Sequence, residues 1–403
     1  MRSHTVGRRR DLARTARAAF ALTVLGCAAY FATVPYLDEL AINGRTQRVG
    51  DWVINYAGGF VRRGLFGELL RGLAPPGLPT LVALVAFQVI CYAIIGGYAL
   101  GYLVDTRFSW SSIALVCAPV ALPFVGWDPR AGWRKEIIVF AVIALLAWAR
   151  QASGHRRTGL TVAAIALFGL AMFSWESSFF GIPVMLYLLR RDDAPAGDGA
   201  RRTRLYAPVE FRVAVDLRNP PTLAVLALGA AGAIAALLFQ GNQATQRNIC
   251  ADVVAHGINR RVCHGSIDSL AWTTHYALQQ QETFFPRYLI YFALLPLVLA
   301  PILLSPWLRR NWPWFLATVL AVAPLYVLGQ DYGRWHYILV VTTSLAIMSA
   351  GRDAVVSRFW GPLTTIVYVA AWGLPHWISD KPWPHLGFTA SVLQSFGLPV
   401  APW

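Results

Sequence analysis

The sequence predicts an all-α, polytopic integral membrane protein of about eleven transmembrane helices, with its N-terminus in the cytoplasm. Three observations carry that expectation. Hydrophobic residues make up 56% of the 403-residue chain and charged residues only 14%, against about 25% in soluble domains. The apolar residues come in runs that approach the roughly 17–25 residues a span needs. The arginines crowd into short loops between those runs, and many of the 16 tryptophans sit beside run ends, as in interfacial aromatic belts. The net charge of +15 therefore reads as positive-inside topology and contact with anionic membrane lipid, not as nucleic-acid binding.

The basic start MRSHTVGRRRDLARTAR precedes an apolar run over about 18–36. The following ATVPYLDEL offers no clear small-residue cleavage site, so the run reads as an uncleaved first helix. Further spans are expected over 79–103, 110–127, 136–149, 159–175, 177–190, 221–240, 287–306, 313–329, 335–350 and 359–375. The runs 136–149 and 177–190 are short and need flanking residues to cross. Alternation from a cytoplasmic N-terminus puts loops 104–109, 150–158, 191–220, 307–312 and 351–358 inside, with most of the arginines, and the C-terminus outside. That places the chain in the plasma (inner) membrane as a multi-pass protein.

The whole chain, 1–403, then forms one transmembrane domain with three attachments. Residues 38–78 are the first outer loop, 191–220 a cytoplasmic linker, and 241–286 the long outer loop. RRDDAPAGDGARRTR within the linker reads as solvated and flexible. Cys27, Cys91 and Cys117 lie in apolar runs and read as small core residues. Cys250 and Cys263 lie in the long outer loop. An oxidising compartment lets them pair, while spacing alone neither demands nor forbids it.

With that topology the unusual polar motifs collect on the outer face: YLDELAINGRTQRVGDW, NYAGGFVRRGLFGELLRG, GWDPRAGWRKE, SWESS, GQDYGRWH and PHWISDKPWPH. From Phe60 onward, Val61, Leu65, Phe66, Leu69, Leu70 and Leu73 recur at three and four, with Arg63, Gly67 and Arg71 on another face. This predicts an amphipathic helix lying in the interface. Gly58 and Gly59 permit a sharp turn before it.

Arg62, Arg63, Arg134, Lys135 and Arg334 are outer-face cations beside predicted helix ends. Arginine forks bind phosphate bidentately, so such a cluster suits a phosphate or diphosphate. Asp38, Glu39, Asp51, Asp128, Glu136, Glu176 and Asp331 are carboxylates on the same face. One of them can serve as general base on an acceptor hydroxyl. The competing reading of each acid is a partner for a nearby arginine: Asp128 for Arg130, Glu136 for Arg134, Asp331 for Arg334. Glu176 stands in an almost wholly apolar stretch, where a carboxylate is costly and so a functional candidate, or else the wet tip of a helical hairpin. The outer histidines, His264, His275, His336, His376 and His385, show no HxxxH or HExxH spacing. A divalent cation is the one cofactor the carboxylates leave open. No Walker, dinucleotide or GxSxG motif occurs.

The stretch YLDELAINGRTQRVGDW resembles the start of the GT-C glycosyltransferases, in the branch of the protein mannosyltransferases and lipid A aminoarabinose transferases. There the first helix ends in an Asp-Glu pair, and a GDW-like stretch and an interfacial helix follow. The matching positions are Asp38, Glu39, Gly50, Asp51 and Trp52. The resemblance implies transfer of a sugar from a polyprenyl-phosphate donor, with inversion at the sugar carbon, to a cell-surface glycan or glycolipid. It gives the role of base or acceptor-orienting residue to Asp38, with Asp51 as rival and Glu39 beside them. The motifs NYAGGFVRRGLFGE, RKE, WES and QDYGRW resemble a group of bacterial membrane proteins, some from surface-polysaccharide loci. Two other classes compete with a transferase. A glycolipid transporter or flippase predicts polar residues at mid-helix and internal repeats; no repeat is seen and few charged residues lie at mid-helix. A lipid-linked glycan polymerase or ligase suits the arginines equally well.

Overall fold

The structure is a computed structural model that describes residues 2–44, 46–190, 215–377 and 387–398. It is all-helical, with no β-strand among the described residues. Residues 191–214 of the linker expected over 191–220, and His385, lie outside them.

Five helices are long and apolar enough to cross a bilayer, the mark of a membrane protein. They are α1 (Arg2–Ala41), α4 (Leu78–Asp105), α8 (Gly154–Ser174), α10 (Pro220–Leu238) and α15 (Pro306–Leu328). Within α1 the apolar stretch runs from Asp11 to Ala41. Each keeps a large share of its apolar side chains unburied, as contact with lipid requires. Proline opens α4, α10 and α15, where its missing N–H costs nothing.

The other six expected spans are shorter or broken, and proline explains most of the breaks. Pro119 and Pro123 divide 110–127 into α5 (Trp110–Val116) and α6 (Phe124–Trp127). Pro296 and Pro301 end the long α12 (Thr274–Ala293) in two single turns, α13 (Leu295–Val298) and α14 (Ala300–Leu303). The 177–190 run becomes a 3₁₀ turn, Glu176–Gly181, followed by α9 (Ile182–Leu189). Residues 359–375 hold only α17 (Pro362–Ala370), and α18 (Gly387–Ser395) follows.

The two remaining runs, α7 (Glu136–Gln151) and α16 (Tyr332–Ser349), are buried along nearly their whole length. They pack together at the centre of the bundle, with α8 and α4 also against α7. A helix surrounded by protein needs neither the length nor the continuous apolarity of a lipid-facing one. This is why α16 tolerates Arg334, His336, Thr342, Thr343 and Ser344 among its buried residues.

Residues 38–78, expected as the first outer loop, hold α2 (Gln47–Trp52) and α3 (Leu65–Leu73). α3 is the amphipathic helix expected there, but it begins at Leu65 rather than Phe60. Arg63 lies before it in a left-handed backbone conformation, φ +72°. Gly67 lies on the buried face, not the polar one. A Cβ there would stand 2.0 Å from the Ile54 carbonyl oxygen, so close approach to the preceding loop is what the glycine serves. Gly59 takes the turn, at φ +93°.

The long outer loop folds into α11 (Gln243–Ala255) and two 3₁₀ turns, Arg260–Cys263 and Asp268–Ala271, before α12. Cys250 and Cys263 form a disulfide that ties α11 to the first turn. That turn packs on α2. A Cβ on Gly50 would stand 2.3 Å from the Val262 carbonyl oxygen. Sequence and disulfide thus press the long loop down on the element that carries Asp51.

Candidate functional site

A cavity of about 1050 Å³ opens where the C-terminal ends of α1, α8, α10 and α15 meet the segments leading into α7, α12 and α16. Its described lining holds seven arginines, Arg48, Arg62, Arg63, Arg130, Arg134, Arg261 and Arg334. Four carboxylates face them, Glu39, Asp51, Glu176 and Asp331. Trp175, Trp272, Trp335 and Trp377 supply aromatic wall, and Pro324, Leu325 and Leu328 of α15 an apolar one.

Two arginine–carboxylate clusters build most of the polar wall. In the first, Glu176 holds Arg63 bidentately, with Arg63 Nε donating to its oxygens at 2.9 and 2.7 Å and Nη2 at 2.5 Å. Arg62 reaches the same carboxylate at 3.7 Å. Burial pushes the Glu176 carboxyl up, but the charge and hydrogen bonds of Arg63, with Arg62 behind, outweigh it and hold it down at about 2. Arg62 Nε is buried without a hydrogen-bond partner among the described residues.

In the second cluster Asp331 accepts from Arg334 at 3.2 Å and lies 3.8 Å from Arg134. Arg334 is fixed from behind by Glu136, with Nε and Nη2 donating at 2.7 and 2.5 Å. The Trp175 and Trp335 rings each lie 5.4 Å from its guanidinium, a cation–π contact that favours a desolvated arginine. Arg134 Nε donates to the Arg130 carbonyl at 3.2 Å. Glu136 therefore serves Arg334, not its sequence neighbour Arg134. Asp128 serves His376, whose backbone N–H and Nδ1 both lie 2.5 Å from its Oδ2; the expected Asp128–Arg130 pair is not formed. The expected Asp331–Arg334 pair is present.

Asp51 stands apart from these pairs. It is 5% exposed and lines the cavity. Its nearest ionic partner is the Lys135 ammonium at 3.9 Å, and its carboxylate accepts no hydrogen bond from the described residues. It lies within the electrostatic reach of Arg63, Arg134, Lys135 and Arg334 together. A carboxylate so placed keeps its lone pairs open to a proton donor in the cavity. Trp52, next in α2, anchors the helix by donating from Nε1 to the Trp133 carbonyl at 2.8 Å.

Lys135 is fully buried and does not reach the cavity wall. Its Nζ donates to the carbonyls of Arg63 at 3.0 Å and Ser174 at 2.7 Å. Burial lowers its amine to about 8, with Asp51 opposing the shift. Lys135 was expected to bind phosphate. It instead ties the Arg62–Arg63 loop and the end of α8 to Asp51.

The remaining sequence candidates separate. Glu39 lines the cavity but is held bidentately by Arg48 and accepts from Thr46 at 2.6 Å. Asp38, within one turn of Pro35 on α1, is exposed and outside the cavity lining. Glu176 and Asp331 both line the cavity, and each holds a pair of its arginines. Arg48, Arg261 and Trp175 were not singled out from sequence, and Arg130 and His376 were named only as a partner for Asp128 and as one of the outer histidines. Arg48 alone had a local signal, since it precedes Asp51 by three residues on one short helix. Among the described residues no group of three or more His, Cys, Asp or Glu is arranged to hold a metal ion.

The fold and site define an all-helical protein with membrane-spanning helices and an arginine-rich cavity at one end of the bundle. No protein-family model, no curated protein and no solved structure matches this chain.

Proposed function

We propose that this chain is an integral-membrane glycosyltransferase of GT-C type. It transfers a sugar from a polyprenyl-phosphate donor to a cell-surface glycan or glycolipid acceptor. The observation that carries this reading is Asp51: a buried, hydrogen-bond-free carboxylate in a cavity lined by seven arginines. Placement of that cavity at the ends of lipid-facing helices suits a donor that arrives from the bilayer.

In this mechanism Arg62 and Arg63 hold the donor phosphate, and the charge of Arg334 across the cavity supports them. Their charge stabilises the phosphate as it leaves with the electron pair of the sugar C1–O bond. The acceptor oxygen forms the new bond to C1 from the opposite face, and its proton passes to Asp51. The product sugar is inverted. Asp51 takes the base role that the first-loop resemblance offered to Asp38, because Asp38 lies outside the cavity. Glu39 orients Arg48. The cavity faces the outer side of the plasma membrane, the N-terminus lies in the cytoplasm, and the shorter helices complete a multi-pass bundle of eleven crossings.

The test is transfer in vitro by the purified full chain, using radiolabelled polyprenyl-phosphate sugars and extracted envelope glycolipid. Asp51→Asn is expected to lower the rate at least 100-fold with the fold unchanged by circular dichroism, about what loss of a general base costs. Transfer at the wild-type rate by Asp51→Asn sinks the assignment.

A further inference from the structure

The arginines of the cavity exceed what one donor phosphate needs. A polyprenyl-phosphate sugar is a phosphodiester and carries a single negative charge. Seven arginines against four carboxylates leave a surplus of three positive charges on the described wall. With Lys135, Glu136 and Asp128, all buried just behind the wall, included, a surplus of two remains. Unpaired cations in a partly desolvated cavity repel one another and are retained where anions come to them.

The surplus is divided between two places. Arg62 and Arg63 come from the loop before α3 and share Glu176 at the end of α8. Arg134 and Arg334 come from the entries to α7 and α16 and share Asp331. Arg130 is tied to Arg134 through its own carbonyl, and its guanidinium has no carboxylate partner among the described residues. Asp51 lies within the field of arginines from both sets. One set is enough for the donor. In an inverting displacement the leaving phosphate and the attacking hydroxyl occupy opposite faces of the sugar carbon. The second set therefore falls to the acceptor.

We propose that Arg130 and Arg134 form a second anion subsite, separate from the Arg62–Arg63 subsite, that takes a phosphate or carboxylate carried by the acceptor near its reactive hydroxyl. The acceptor is thus an acidic glycan or a phosphate-bearing glycolipid, not a neutral sugar chain. The inference rests on the transferase reading above for the meaning of the second subsite.

Tungstate, a tetrahedral oxyanion with strong anomalous scattering, is the probe. Crystals of the full chain soaked in tungstate are expected to show two anomalous peaks, one at Arg62 and Arg63 and one at Arg130 and Arg134. Arg134→Gln removes the second peak and leaves the first. Dihexanoyl phosphatidic acid displaces the second peak if the acceptor anion is a phosphate, and glucuronic acid does so if it is a carboxylate. A single peak shared by all four arginines, with sugar transfer intact, overturns the second subsite and leaves the transferase standing. No peak at either place overturns both. Two peaks that neither competitor displaces overturn the acceptor assignment.

Discussion

Asp51 is buried and Glu176 part-buried in the same cavity, yet their surroundings give them opposite work. Glu176 spends its oxygens on Arg63 and Arg62, while Asp51 has only an ammonium at 3.9 Å. Removing one partner of a part-buried, bidentate pair leaves the other charge poorly compensated. Glu176→Gln is expected to cost about 1–3 kcal/mol of stability, read as a fall in unfolding temperature in detergent. The pH dependence has a definite sign. The Glu176 carboxyl is held at about 2, below its ordinary 4.5, so its contribution is complete above 4.5 and is lost as pH falls toward 2. Thermal unfolding of the wild type across that window is expected to show a loss that Glu176→Gln lacks. Lys135 works at the other limb. Its amine loses its proton as pH rises through about 8, removing one positive charge from behind Asp51 and Arg63. Affinity for an anionic donor is expected to fall there, as a rise in KM that Lys135→Met flattens.

At the level of elements, the site depends on a loop held down at two points. The disulfide closes a short segment between α11 and the turn at Arg260–Cys263. Closing a loop of about fifteen residues limits the unfolded chain by about 3 kcal/mol. Cys250→Ser with Cys263→Ser is expected to lower stability by about that amount and, with it, the activity. Gly50→Ala tests the second point, because its Cβ would meet the Val262 carbonyl at 2.3 Å. The variant is expected to unfold several degrees lower and to lose activity out of proportion, since the displaced helix carries Asp51. Differential scanning fluorimetry beside a transfer assay separates the two effects.

Much of the element pattern was legible in the chain. The five lipid-facing helices are continuous apolar runs with proline or basic starts, and the amphipathic α3 follows from leucine spacing. The six shorter segments were not legible as such. Prolines 119, 123, 296 and 301 lie inside runs whose mean apolarity hides the breaks. In α7 and α16 burial on all sides removes the period that marks a face. The cavity itself was half legible. Arginines and acids at helix ends gave its composition, but their pairing is long-range: Arg63 meets Glu176 113 residues away, and Arg334 meets Glu136 198 residues away. Sequence neighbours such as Arg134 and Glu136 project to different partners. Asp38 looked as strong as Asp51 in the motif, and only the direction of its side chain on α1 separates them.

For the molecule as a whole, one end of the helix bundle gathers charge that the lipid-facing helices exclude. The loops and helix starts at the far end keep the plain arginines, among them Arg107, Arg156, Arg157, Arg309, Arg310 and Arg358. Those arginines fit the positive-inside pattern, whereas the cavity arginines are bound into carboxylate networks that a topology signal does not need. A cysteine placed at Ser177, on the cavity wall, is expected to react with a membrane-impermeant maleimide added outside intact cells. One placed at Ser357, at the opposite end, is expected to react only after permeabilisation. The most direct measurement of the central claim is mass spectrometry of surface glycans and polyprenyl-linked intermediates from a deletion strain. The strain is complemented with wild type, Asp38→Asn or Asp51→Asn. One sugar missing from the glycan, restored by wild type and by Asp38→Asn but not by Asp51→Asn, is the expected result. An unchanged glycome in the deletion strain, or full restoration by Asp51→Asn, contradicts it.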